Sequence, residues 1–338
     1  MSSVDPTLSG VTGLPFDDVK AILTHFPEPD TCAANHARQR LAARAAAGPR
    51  LGLVEDLAVW LAGWRGDRPR KIERAQLALF ASVMPPFNTQ DDVARAMETL
   101  ELTAAGGHPA SAMCYRHGVG LKVYDLALDV PSGDIRAEAS LSEEDCAATM
   151  AFGMEAVAGG LDLVALGRFG RGGDTAAAAL AALLHPERAD EVLAAAPEGE
   201  RAILAPAIER HNSAGRDPFE LLRRVGTRDM AAIVGAILAA RTERVPVLLD
   251  GAPAIAAAAV LHAASPDNVA HCRIATVSSP LERILADILG LAPLVDFPGE
   301  TAPGGEGVGA LIAFPLMQSA SDILETAVSR EQAGLSAA

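Results

Sequence analysis

One pattern constrains the fold more than any other: a short apolar run, a glycine-bearing turn, then an alanine-rich helix. Residues 161–166 (LDLVAL) lead into 167–174 (GRFGRGGD), and Thr175-Ala176 opens a helix. Residues 245–249 (VPVLL) lead into Asp250-Gly251-Ala252-Pro253, and a helix over 254–264 follows. Short unbroken apolar runs bounded by turns fit strands buried on both faces, the habit of parallel sheets covered by helices. Further strands are expected at 75–83 (AQLALFASV), 121–127 (LKVYDLA) and 273–277 (RIATV). Helices are expected over 32–47, from Leu51 onward, from the N-cap Ser142 to Gly159-Gly160, over 228–240, over 281–289, and from about Ala310.

The predicted fold class is therefore α/β: a three-layer, Rossmann-like, mostly parallel sheet with a smaller helical domain from the N- and C-terminal segments. The loop at 64–70 (WRGDRPR) marks a boundary. Residues 1–65 together with 311–338 form the expected helical domain, and 66–310 the Rossmann-like catalytic domain. Ligands of such sheets sit at the carboxyl ends of the strands. That points to the turns after Leu166 and Leu249 and to the loop holding Glu306.

Charge narrows the partners. The 338 residues carry 43 Asp+Glu against 28 Lys+Arg, a net charge of −15. Such a surface opposes nucleic acid, where basic groups must replace counterions, and opposes an anionic membrane. A small molecule is the expected partner. Cys32, Cys114, Cys146 and Cys272 show neither CxxC nor zinc-finger spacing and read as reduced, mostly buried thiols. The first residues (MSSVDPTLSG) have no basic, apolar leader character, and the run 230–240 is too short to span a bilayer, so a cytoplasmic location is expected.

Three segments can carry chemistry. Gly167, Gly170 and Gly172 let backbone amides approach an anion before a helix N-terminus, with Arg168 and Arg171 adding positive potential; the alternative is a plain turn. Asp250-Gly251 can either hydrogen-bond a ligand or cap the next helix. Glu306 stands among glycines (GGEGVG) beside the apolar run 310–314, where a desolvated carboxylate serves as a general base or acid. The alternative is a solvated loop. His108 and His117 lie nine apart, which is no ligand spacing on one helix, and no nucleophile triad or metal cluster is evident.

At these residues the chain resembles the nicotinate-nucleotide–dimethylbenzimidazole phosphoribosyltransferase family of cobalamin nucleotide-loop assembly. The similar blocks are 48–58 (GPRLGLVEDLA), 167–175 (GRFGRGGDT), Val225-Gly226 through Gly235, 245–251 (VPVLLDG) and 305–310 (GEGVGA). The resemblance implies that the ribose phosphate of nicotinate mononucleotide moves onto a benzimidazole-type base, giving alpha-ribazole phosphate and nicotinate. It gives Glu306 the role of catalytic base. Gly167, Arg168, Gly170, Gly172, Thr175, Asp250, Gly251, Ser278 and Gly305 become substrate-binding residues. It implies no metal or other cofactor, and a homodimer, with a heterodimer with a paralog as the alternative. The pattern also departs from the family: Arg168 stands where the family has Glu, Asp174-Thr175-Ala176 replaces Asn-Thr-Thr, and 82–86 (SVMPP) replaces an Asp-His-Gly-Val loop. The alternative function is a non-catalytic paralog that binds a nucleotide or a partner subunit.

Overall fold

The computed structural model describes residues 15–45, 51–66, 71–297, 306–326, 328 and 332–334. Three helices come first: α1 (Phe16–Leu23), α2 (Thr31–Ala45) and α3 (Leu53–Arg65). Strand β1 (Ala75–Ala81) precedes α4 (Gln90–Ala104), α5 (Pro109–His117) and β2 (Gly120–Asp125). Helix α6 (Glu143–Met154) leads to β3 (Leu163–Phe169) and α7 (Gly173–Leu184). Then come α8 (Ala189–Ala195), α9 (Glu198–His211), α10 (Pro218–Val225), α11 (Arg228–Thr242) and β4 (Val247–Leu249). The remainder is α12 (Ala252–Ala264), β5 (Cys272–Ile274), β6 (Thr276–Val277), α13 (Pro280–Leu289), β7 (Val295–Asp296) and α14 (Val308–Thr326).

The main sheet is wholly parallel, in the order β2-β1-β3-β4-β5, and β6 pairs in parallel with β7 beside it. The chain winds one way from β1 to β2 and the other way from β3 through β4 to β5. The loops after β1 and β3 thus lead to opposite sides of the sheet, the switch point at which open parallel sheets carry their ligand crevice.

Alternation along the strands builds the layers. Leu77, Leu79, Leu163, Ala165 and Leu248 join one core with Leu311, Phe314 and Met317 of α14. Ala78, Phe80, Val164, Leu166, Val247 and Leu249 join the other core, beneath α7, α11 and α12. The small side chains let these helices come close. Every residue of α12 from Ala252 to Leu261 is buried. Helices α6 and α11 interlock through reciprocal glycines. A Cβ on Gly153 would lie 1.9 Å from the Ala232 carbonyl oxygen, and one on Gly235 would lie 1.8 Å from that of Met150.

Helices α2, α3 and α14 pack against one another. Helix α1 rests instead on α6, and Phe16 meets Phe219 of α10 with ring centroids 5.8 Å apart. No helix among the described residues is long and apolar enough to cross a membrane. The four cysteines are free, with Cys32 exposed and the others buried, and burial pushes the Cys114 thiol up to about 11.

Two expectations need correction. The glycine-rich segment expected to be a turn from Gly167 starts later. Strand β3 runs to Phe169 because β1 pairs with it residue by residue as far as Ala81 opposite Phe169. Gly167 and Arg168 are strand residues, and only Gly170 to Gly172 bridge to α7. The region between β1 and β2, where no helix is expected, also holds two helices. Helix α4 starts from a Thr89/Asp92 capping box and α5 from His108 with Pro109 behind it.

Candidate active site

Glu306 sits one residue before the N-cap of α14 and has a left-handed backbone, φ 56°. That conformation disfavours any residue with a Cβ, so something must hold the turn. Asp250, at the carboxyl end of β4, supplies the hold. Its Oδ2 accepts the Gly307 amide at 2.7 Å. Burial pushes the Asp250 carboxyl up to about 7; the amides of Gly307, Gly309 and Ala310 oppose the rise and the charge of Glu282 adds to it. The positive end of α14 and this carboxylate thus face each other in a dry setting.

Glycines permit that approach. A Cβ on Gly309 would lie 2.2 Å from Asp250 Oδ1 and 2.3 Å from Thr276 Oγ1. A Cβ on Gly167 would lie 3.1 Å from the Gly307 nitrogen. Gly167 therefore makes room for the Glu306 turn across the sheet face. The Glu306 side chain remains 46% exposed, and its Oε2 lies 3.0 Å from Nε2 of His108. His108 is buried, and its Nδ1 accepts the Ala110 amide at 3.2 Å.

Arg168 points to the opposite face of the sheet. Its Nε donates to Asp229, which is fully buried at the start of α11, and Nη1 donates to the Gly170 carbonyl. Nη2 donates to the Ser82 carbonyl at 2.8 Å, tying the loop after β1 to the loop after β3. The guanidinium of Arg168 is matched by the buried carboxylate of Asp229. Gly170 and Gly172 both have positive φ, 107° and 93°. A Cβ on the first would strike the Ser82 carbonyl at 2.1 Å, and on the second the Met84 side chain at 2.3 Å. These glycines thus serve close packing of the two loops. Arg171 is the loop's accessible cation. Its Nη1 donates to Asp92 at 3.0 Å, and its guanidinium lies over Phe87, 4.8 Å from the ring centre.

The Thr175 hydroxyl donates to Glu200 Oε2 at 2.9 Å. Asp174 has an accessible carboxylate yet is crowded by protein. That crowding raises its pKa, Arg168 opposes, and the charges of Glu282, Glu200 and Asp229 add to the rise. Gly251 has φ 84° and caps α12. The Ser278 hydroxyl donates to Glu282 Oε2 at 2.9 Å, the same oxygen that accepts the Ser278 and Ser279 amides. Gly305 lies outside the described residues.

The expected residues thus form two groups. Glu306, Asp250 and Gly167 meet through Gly307. Arg168 at the end of β3, Gly170 and Gly172 in the loop and Thr175 in α7 form the neighbouring group, and Glu282, held by Ser278, bears electrostatically on both Asp250 and Asp174. Sequence reasoning missed His108, Asp229, Glu200 and Glu282. Only the last left a trace, as the Glu of a Ser279-initiated capping box.

Known proteins resemble this chain along most of its length. A family model described as phosphoribosyltransferase matches residues 26–335. A nicotinate-nucleotide–dimethylbenzimidazole phosphoribosyltransferase of Allorhizobium ampelinum is 42% identical over 336 residues, covering 96% of this chain and 98% of that protein. One of the same name from Sinorhizobium medicae is 43% identical with the same coverage. Crystal structures of such an enzyme from Thermus thermophilus, one titled CobT, superpose with TM-scores of 0.78 and 0.80 at 26% identity. They cover 91% and 90% of this chain and 99% of theirs. The chain therefore belongs to the nicotinate-nucleotide–dimethylbenzimidazole phosphoribosyltransferase family.

Proposed function

We propose that this chain joins the ribose phosphate of nicotinate mononucleotide to a benzimidazole-type base, releasing nicotinate and forming alpha-ribazole phosphate. The reading is supported by its family and, in the site itself, by one observation above the others. Glu306 carries an accessible carboxylate on a turn that Asp250 and a helix N-terminus hold at the carboxyl end of the sheet. An azole nitrogen attacks C1 of the ribose while the bond from C1 to nicotinate breaks. Glu306 accepts the proton of the azole N–H, which keeps the developing charge on the base low.

The contacts support the following further roles. Asp250 and Gly251 set the position of the Glu306 turn and the neighbouring helix. Arg168 joins the loops after β1 and β3, and Gly167, Gly170 and Gly172 let them approach. Glu200 and Asp174 offer acceptors to ribose hydroxyls, with Thr175 orienting Glu200 and Ser278 orienting Glu282. The N-terminus of α7 and Arg171 supply the positive end for a phosphate. We expect a homodimer, or a heterodimer with a paralog, working in the cytoplasm.

The test is turnover with nicotinate mononucleotide and 5,6-dimethylbenzimidazole, followed by release of nicotinate. Glu306→Gln keeps the side chain's shape and removes the base. We expect kcat to fall by about 10²–10⁴-fold, the usual contribution of general base catalysis. Unchanged turnover in this variant would overturn the role of Glu306. Absence of product with benzimidazoles, purines and phenols alike, despite calorimetric binding of the nucleotide, would overturn the activity.

A further inference from the structure

We infer that His108 is the positioning residue for Glu306: it holds the carboxylate in one orientation by donating from Nε2. The inference rests on the reading of Glu306 as the base. The two residues stand 198 positions apart and meet at 3.0 Å. The tautomer follows from the hydrogen-bond network. Nδ1 accepts the Ala110 amide at 3.2 Å, so it carries a lone pair, and the neutral ring has its proton on Nε2. Nε2 can then only donate, and Glu306 Oε2 is its acceptor.

The chemistry explains why such a partner matters here. Glu306 is on a left-handed turn and its side chain is 46% exposed, so packing alone leaves the carboxylate free to rotate. The His108 ring is the opposite case, buried and fixed as the N-cap of α5. Helix α5 packs on α14, whose first turn follows Glu306. The rigid ring thus transmits the position of one helix to the base carried by the other. Donation to Oε2 leaves Oε1 as the oxygen turned to the azole proton. A base already oriented loses less freedom on reaching the transition state than one that must be ordered there.

His108→Asn separates this role from a structural one. Asn is a favoured N-cap and can still accept the Ala110 amide, but it is too short to reach Glu306. We expect thermal stability close to that of the parent chain, an unchanged KM for nicotinate mononucleotide, and kcat lowered on the order of 10- to 100-fold. His108→Ser, with an equally good cap, should behave alike and serves if the first variant folds poorly. In a Glu306→Gln background, adding His108→Asn should cost no further rate, because the residue acts only through the base. A parent-like kcat in both single variants, or a full independent loss in the double variant, would overturn the inference while leaving Glu306 as the base. If Glu306→Gln itself turns over normally, the underlying reading fails and this inference with it.

Discussion

The two loops at the carboxyl edge of the sheet are held in opposite ways. The loop after β3 is tied from inside: a buried guanidinium grips Asp229, Gly170 and Ser82 at once. The Glu306 turn is held by two contacts, Asp250 on the backbone and His108 on the side chain, and keeps an unfavourable φ. The first arrangement stores stability and the second holds a reactive group in place. Substitutions in the first region should therefore appear in folding, and substitutions in the second in turnover.

The largest effect is expected at Arg168. Arg168→Leu strands the Asp229 carboxylate without its counter-ion in a fully buried position. Loss of one partner of a buried pair costs about 3–5 kcal/mol. Denaturant titration should show this loss, and a midpoint like that of the parent would break the comparison.

Asp250 comes next and is read through pH. Its folded pKa of about 7 stands above the ordinary 3.8, so the folded protein holds a proton that the unfolded chain releases. The stability this group contributes is present below about pH 4 and is lost as pH rises to 7. Over that window the loss is on the order of a few kcal/mol. Asp250→Asn has no such titration, and its oxygen can still accept the Gly307 amide. Urea midpoints at pH 5 and pH 8 should diverge in the parent chain and less so in the variant. Equal divergence would remove Asp250 as the cause.

A smaller effect is expected at Glu306. Glu306→Gly relieves the left-handed strain but leaves the buried His108 Nε2 without its acceptor; the two offset, and stability should change by no more than about 1 kcal/mol. The same change should abolish turnover. A variant both less stable and active would reverse the contrast between the loops. The smallest effect is at Arg171, whose ion pair with Asp92 involves a guanidinium that is 58% exposed. Arg171→Ala should cost less than about 1 kcal/mol, visible only as a slight shift in the thermal midpoint.

The contrast also explains which parts could be read from the amino-acid order. Strands β1, β3 and β4 announced themselves because a parallel strand covered on both faces must be apolar throughout. That same uniformity hid the end of β3, since Gly167 and Arg168 carry no periodicity to mark them as strand. Glu306 stood out because glycines surround it and because its block resembles a family motif. Its partner did not, since a lone His before a proline looks like any helix start until folding brings α5 to α14. Helices α4 and α5 escaped although α4 carries Val93, Ala96 and Leu100 at helical spacing, because the Thr89/Asp92 box and the His108-Pro109 start that mark their beginnings went unread. Asp229 and Arg168 illustrate the same limit. Arg168 alone reads as positive potential beside an anion, and only the tertiary structure makes it the partner of Asp229.

The interlocked glycines of α6 and α11 have a consequence at the start of α11. With carbonyls seated where side chains would stand, neither helix can slide along the other by even one residue. Such a slide would displace Asp229 by about 1.5 Å, the rise per residue of a helix, and unseat it from Arg168. The glycine pair thus works as an index mark: it sets the axial reading of α11, and the two crevice loops inherit their alignment from that setting.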